Sequence, residues 1–159
     1  MNYRTADLLD SHPSLEACEA GLLHFGGLCR FAGQAVTLRA FEDNSLVREL
    51  VRTAGEGRVL VIDGGGSRRC AMLGDLLAGA AQSNGWAGVV LDGCIRDSVA
   101  IASMQLGVMA LGIQPRRSEK HAQGVRDVLV EILGARVAPG DWVYADEDGV
   151  VFAKEPITG

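Results

Sequence analysis

The sequence predicts an α/β fold: one domain whose central sheet is partly parallel, with antiparallel strands at its C-terminal end. Three observations carry that expectation. Two short runs rich in branched apolar residues, 58–63 (RVLVID) and 87–92 (AGVVLD), read as buried strands, and each is followed by glycine and then by helix-prone sequence. The last segment, VLVEILGARVAPGDWVYADEDGVVFA, breaks into short strands at turns rich in Gly, Pro and Asp. No linker, low-complexity segment or clear internal repeat divides the 159 residues, so a single domain over 1–159 is expected.

The elements follow in order. Residues 34–41 (QAVTLRAF) alternate loosely and read as a strand. Glu42, Asp43, Asn44 and Ser45 then offer capping side chains to a helix over about 45–54, whose Leu46, Val47, Leu50 and Val51 share one face. Strand 58–63 runs into Gly64-Gly65-Gly66-Ser67. Helix-prone sequence continues from there to Asn84, broken at Gly74-Asp75, because glycine is costly inside a helix and aspartate favours the N-cap. One helix before that break and a second, LLAGAAQSN, ending at Gly85, are therefore predicted. Strand 87–92, a short helix near 97–104, strand 107–111 and a polar loop over 114–126 precede the C-terminal strands. Ligands of such sheets sit beyond the carboxyl ends of parallel strands. That rule selects two loops, 63–67 (DGGGS) and 92–97 (DGCIRD).

Composition narrows the function classes. Hydrophobic residues make up 48% and charged residues 22%, which fits a folded chain rather than a disordered one. The net charge of −5 argues against general binding of nucleic acid or anionic membrane. No apolar run approaches the roughly eighteen residues of a membrane helix, and the acid-containing N-terminus MNYRTADLLDSHPS lacks the apolar stretch of a secretory signal. Cys18, Cys29, Cys70 and Cys94 show no C-x-x-C spacing, so free thiols of a cytoplasmic protein are expected and a structural zinc site is not. Lysine is scarce: only Lys120 and Lys154 accompany thirteen arginines, which leaves few candidates for a Schiff base.

Nucleotide motifs do not fit. With Gly64 and Gly66 as the first two glycines of G-x-G-x-x-G, the third position is Arg69, and G-K-[ST] is absent. The strand, Gly-rich turn and helix resemble a methyltransferase cofactor site only faintly, and tight turns with close helix packing are the simpler account of the glycines. The segment Gly74-Asp75-Leu76-Leu77 offers more. With Asp75 as a cap, the amides of Leu76 and Leu77 point outward and form a small anion site; the alternative is an ordinary helix cap. Arg96 can grip a carboxylate or keto acid through two parallel hydrogen bonds, and Asp97 can hold Mg²⁺ or Mn²⁺. A helix cap at Asp97 beside a solvated Arg96 is the competing reading. His12, His24 and His121 fall in loop or polar surroundings with no legible triad, and Cys94 reads as a small packing residue.

The segments 41–47 (FEDNSLV), 59–67 (VLVIDGGGS), 74–78 (GDLLA), 93–97 (GCIRD) and 144–151 (YADEDGVV) together resemble one family. In this ordered set the chain is similar to RraA-like proteins, which comprise the regulator of ribonuclease activity A and the class II 4-hydroxy-4-methyl-2-oxoglutarate aldolases. The resemblance spans nearly the whole chain. It implies a swivelling β/β/α-like domain that assembles as a homotrimer or hexamer, with sites near subunit interfaces. It also implies substrate binding by Gly74, Asp75, Leu76, Leu77 and Arg96, metal binding by Asp97, and catalytic roles for Asp75 and Arg96. The implied reaction is divalent-metal-dependent cleavage of keto acids to pyruvate, with oxaloacetate decarboxylation through the same enolate. The chain length and the 41–47 segment are closer to the regulator branch, which implies as an alternative the binding and inhibition of an RNase E-type protein partner. Asp97, typically replaced in that branch, is retained here, as in the aldolases.

Overall fold

The computed structural model describes residues 2–157; the outermost positions of the expected domain, 1 and 158–159, lie outside it. The elements in chain order are α1 (Thr5–Ser11), β1 (Glu16–Ala17), β2 (Leu23–His24), β3 (Phe31–Arg39), α2 (Ser45–Val51) and β4 (Val59–Asp63). The middle of the chain gives β5 (Ala71–Leu73), α3 (Asp75–Ser83), β6 (Gly88–Leu91), β7 (Cys94–Ile95), α4 (Ser98–Ala102), β8 (Gly107–Ala110) and β9 (Gly112–Ile113). The remainder gives β10 (Val125–Arg126), β11 (Val130–Ile132), β12 (Ala135–Val137), β13 (Trp142–Asp146) and β14 (Gly149–Ala153).

The main sheet has nine strands in the order β1-β14-β13-β3-β4-β6-β8-β2, with β10 paired to β3. Its centre, β3-β4-β6-β8, is parallel, and its flanks are antiparallel, as the sequence predicts. The branched runs are explained by burial on both faces. Leu60 and Ile62 of β4 pack with Val89 and Leu91 of β6 against Val47 and Val51 of α2, Ala78 and Ala81 of α3, and Ile101 of α4. Val59, Val61 and Val90 point the other way, into a second core closed by the β11–β12 hairpin through Val130, Ile132, Ala135 and Val137. Each such large side chain contributes about 1.5–3 kcal/mol by leaving water. The helices thus sit on one face of the sheet and the hairpin on the other.

The structure departs from the sequence reading at three points. The helix predicted before Gly74 is not formed: Ala71–Leu73 is the strand β5, in a separate parallel sheet ordered β5-β7-β9. Ala71, Met72 and Leu73 are good helix formers, but all three are buried, and Ala71 N donates to Arg116 O at 2.7 Å, so tertiary pairing overrides propensity. Helix α1, unassigned from sequence, is held by Asp146, which accepts from Thr5 N and Thr5 Oγ1 at 2.7 Å each. The third concerns Asp75, which is the first residue of α3; its N-cap is Gly74.

Candidate active site at the carboxyl ends of the small sheet

The small sheet, unseen in the sequence, is what assembles the predicted residues. After β5 the chain turns at Gly74 into α3, and after β7 it turns at Arg96 and Asp97 into α4. Arg96 N donates to Leu73 O at 2.9 Å, which locks the two turns side by side. After β9 the chain continues through Gln114 to Arg117, which bridges back to Ala71. The carboxyl ends of β5 and β7 and the segment after β9 therefore meet at one depression, a cavity of about 270 Å³. Gly74, Asp75, Leu76, Leu77, Arg96 and Asp97 all line it. The predicted residues thus gather at the small sheet rather than directly beyond β4 and β6.

Asp97 occupies the left-handed region (φ 58, ψ 42), a conformation that Asp tolerates better than most side chains. Its backbone caps α4, while its carboxylate turns away from that helix: Oδ2 accepts from Asp75 N at 2.9 Å. A carboxylate from the neighbouring turn thus takes the capping role expected of Asp75, and it complements the positive end of α3. The amides of Leu76 and Leu77, in the first turn of α3, have no acceptor among the described residues, since the helical ladder begins with Ala78 N to Gly74 O at 2.9 Å. Leu76 is 83% exposed, Leu77 is half-buried, and both residues line the depression. Gly74 leaves room for the side chains of the neighbouring turn. A Cβ there would lie 2.8 Å from Asp97 Oδ2 and 3.5 Å from Arg96 Cγ and Nε.

Other walls come from residues the sequence reading did not select. Asn44, Arg48 and Arg52 line the cavity from α2, and Arg117 and Lys120 from the segment after β9. Lys120 Nζ donates to Asn44 Oδ1 at 3.2 Å inside this site. Asp43 holds that wall in place. Its Oδ1 accepts from Ser45 N at 2.9 Å and its Oδ2 from His121 N at 2.5 Å. Burial pushes the Asp43 carboxyl up, but these amide donors outweigh burial and hold it below the usual carboxylate range. The Asn44, Arg48, Arg52 spacing of four, opposite the apolar face of α2, was the signal available in the sequence.

The glycine loop after β4 lies elsewhere. Gly65 N donates to Asp63 Oδ1 at 3.0 Å and Gly66 N to Asp92 O at 3.1 Å, so these amides are committed to the turn and do not form a phosphate cradle. Gly65 and Gly66 have φ of 68 and 73, which explains the glycines. Asp92 lies beneath this loop with Oδ1 unpartnered, and burial, then Asp63, push its carboxyl up while Arg68 pulls it down. His12, His24 and His121 do not line the Arg96–Asp97 cavity, and His24 Nε2 is engaged with Asp146 O at 2.6 Å. Cys94 is buried beside the site as a packing residue.

The family model described as RraA-like, Aldolase/RraA, matches residues 5–152. The chain belongs to the RraA-like family. A Laribacter hongkongensis protein, named provisionally as a 4-hydroxy-4-methyl-2-oxoglutarate aldolase, is 53% identical over 158 residues, covering 99% of each chain. Among solved structures, the RNA-processing inhibitor RraA from Thermus thermophilis superposes with a TM-score of 0.96 at 46% identity, covering 100% of this chain and 97% of that one. A Geobacillus kaustophilus protein named as an S-adenosylmethionine:2-dimethylmenaquinone methyltransferase superposes at 0.94 with 49% identity, covering 98% and 97%.

The RraA-like resemblance implies a divalent ion at Asp97. Asp97 Oδ2 accepts from Asp75 N, and Oδ1 has no hydrogen-bond partner among the described residues. No cluster of three His, Cys, Asp or Glu that could hold a metal exists among the described residues, which excludes a closed zinc-type cage there. A hard ion that keeps most of its waters and takes one or two carboxylates fits this set, and Mg²⁺ and Mn²⁺ are of that kind.

Proposed function

We propose that this protein is a divalent-metal-dependent class II aldolase. It cleaves keto acids of the 4-hydroxy-4-methyl-2-oxoglutarate type to pyruvate, and it decarboxylates oxaloacetate at the same site. The observation that carries the reading is the Asp97 carboxylate, fixed at the start of α3 beside Arg96 and two free helix amides. The name of the Laribacter hongkongensis relative supports it.

Arg96 grips the carboxylate of the pyruvyl half through paired N–H groups. The Leu76 and Leu77 amides donate to oxygen atoms on which negative charge develops, and the dipole of α3 reinforces them. Asp97 would hold an Mg²⁺ or Mn²⁺ ion, which would supply Lewis acidity toward the bound keto acid. Asp75 accepts the proton of the C4 hydroxyl, directly or across one water. As that O–H bond breaks, the C4 oxygen becomes a carbonyl, the C3–C4 bond breaks, and its electron pair becomes the pyruvate enolate. Protonation at C3 releases pyruvate, and 4-hydroxy-4-methyl-2-oxoglutarate gives two pyruvates. Loss of CO₂ from oxaloacetate leaves the same enolate. The working form proposed is a cytoplasmic homotrimer or hexamer, an assembly that would cover the exposed Leu76 and Val99. Pyruvate release from both substrates, with Mg²⁺ and then with EDTA, tests the proposal; turnover no faster than the free-ion background would refute it.

The likeness to the Thermus RNA-processing inhibitor supports a second reading, a contact with an RNase E-type endonuclease through the acidic surface. An RNA-cleavage assay with added protein decides it, and unchanged cleavage would remove it.

A further inference from the structure

Glu42 and Ser67 belong to the motif segments 41–47 and 59–67, and neither they nor Arg69 lines the cavity. Their side chains meet. Arg69 Nε and Nη2 donate to Glu42 Oε2 and Oε1 at 2.7 and 3.0 Å, a two-point grip, and Ser67 Oγ donates to Oε2 at 2.6 Å. Ser67 Oγ also accepts from Arg69 N at 3.2 Å, and the Arg69 guanidinium lies 5.8 Å from the Phe41 ring centroid. The Arg69 guanidinium first, and then the Ser67 hydroxyl, hold the Glu42 carboxyl below the usual carboxylate range, so the grip is charged at neutral pH. Glu42 takes a left-handed backbone (φ 55), which a residue other than glycine adopts only where its surroundings offset the strain. An exposed ion pair alone contributes little, and the Arg69 side chain is 74% exposed; what distinguishes this pair is its place.

Glu42 stands two residues before Asn44, which lines the cavity at the start of α2, and Arg69 two residues before Ala71, which lines it from β5. The pair therefore ties the foot of one wall to the foot of the other. A third wall is carried along: Glu119 N donates to Glu42 O at 2.9 Å and Asn44 N to Glu119 O at 3.2 Å, which seats Lys120 beside Asn44. At the other end of the same segment, Arg116 O accepts from Ala71 N at 2.7 Å. That single backbone attachment to β5 leaves the 116–121 segment able to pivot, and the Glu42–Arg69 grip adds a second point. We propose that Glu42 is a positioning residue, which through Arg69 and Ser67 fixes the separation of the Asn44–Lys120 wall from the Ala71–Gly74 wall. Its effect on rate rests on the aldolase reading: a bound acid must meet both walls in one geometry, and misplacement of about 1 Å costs up to about 100-fold.

Glu42→Gln keeps the size of the side chain and an acceptor for Ser67 but loses the charge that Arg69 grips, and Arg69→Gln removes the same grip from the exposed side. Pyruvate release from 4-hydroxy-4-methyl-2-oxoglutarate, melting curves and amide hydrogen exchange by mass spectrometry are read on wild type, both variants and the double variant. Each single variant is expected to lose at least about tenfold in kcat while KM changes less than about threefold, because none of the three residues lines the cavity. The double variant loses no more than the worse single one, and Arg69→Lys recovers part of the rate through one remaining contact. A purely structural pair would lower the melting curve and leave kcat of the folded protein alone. Wild-type kcat in either folded variant, or losses that multiply in the double variant, overturns the proposal. Hydrogen exchange needs no substrate and so separates the clamp from the aldolase reading. Amides of 43–46 and 119–121 are expected to exchange at least about threefold faster in Glu42→Gln, with those of β4 and β6 unchanged. That pattern in a protein that turns nothing over would refute the aldolase reading and support the clamp. Turnover in wild type with unchanged exchange in Glu42→Gln would refute the clamp and leave the aldolase reading standing.

Discussion

Replacing Gly74 by alanine separates the stability of the α3 N-terminus from its chemistry. The backbone at Gly74 (φ −126, ψ −170) is open to any residue, so alanine introduces no dihedral strain there. What it introduces is a Cβ 2.8 Å from Asp97 Oδ2, where ordinary contact begins near 3.4 Å. The obstacle is the end of a side chain rather than backbone, so the carboxylate gives way, by about 0.6 Å. That movement strains or breaks its 2.9 Å bond to Asp75 N and displaces the oxygen assigned to the metal. Loss of a capping interaction costs about 1 kcal/mol, or about 2–4 °C in Tm for a chain of this size. Catalysis suffers more, because misplacement approaching 1 Å costs up to about 100-fold. The assay is pyruvate release coupled to NADH oxidation, run beside thermal melting. Gly74→Ala is expected to melt only a few degrees lower and to lose at least about tenfold in kcat/KM. Wild-type turnover in a folded Gly74→Ala protein would refute the claim that this glycine makes room for the Asp97 carboxylate.

Two further outcomes follow from burial and charge. Asp43 has a depressed folded pKa, so its contribution is fully present above the ordinary carboxylate value of about 3.9 and is lost as pH falls through the lower folded value. Asp43→Asn is therefore expected to cost about 1–3 kcal/mol by chemical denaturation at neutral pH, with the gap to wild type narrowing below about pH 4. Among the thiols, Cys29 is exposed, whereas burial raises Cys70 and Cys94, and burial with nearby Asp92 pushes Cys18 up to about 12. Alkylation at pH 8 should label Cys29 first, and equal labelling of all four by mass spectrometry in the native protein would contradict the buried placement.

The main sheet was legible because its signal is local. Leu60 and Ile62 face one core and Val59 and Val61 the other, so β4 must be apolar throughout, and the same holds for β6. Beyond the corrected region, the predicted elements differ from the structure mainly in their ends, as with strand 34–41, which is formed by Phe31–Arg39. The small sheet was not legible. Strands of two or three residues, Ala71–Leu73, Cys94–Ile95 and Gly112–Ile113, are too short to show a period, and only their mutual pairing makes them strands. The same cause hid half of the site. The motif residues of 74–77 and 96–97 stand out by type, but what brings them together is the Arg96 N to Leu73 O bond between strands that no pattern announces. Lys120 enters through hydrogen bonds between the 119–121 segment and the start of α2, more than seventy residues away in sequence, and nothing local marks that meeting. Arg48 and Arg52 were readable, since a helix with an apolar face at Leu46, Val47, Leu50 and Val51 must show its other edge to something.

The most direct test of the central claim bypasses the physiological substrate. If Arg96, Asp97 and the α3 amides form a pyruvate-enolate site, the protein will exchange the methyl protons of pyruvate for deuterium in D₂O. Nuclear magnetic resonance would follow this with Mg²⁺, with EDTA, and in Asp97→Asn, which retains tolerance of the left-handed backbone at that position. The account predicts exchange well above the Mg²⁺-only background in wild type, abolished by EDTA and by Asp97→Asn. Exchange at the wild-type rate in Asp97→Asn, or none above background in wild type, would contradict it.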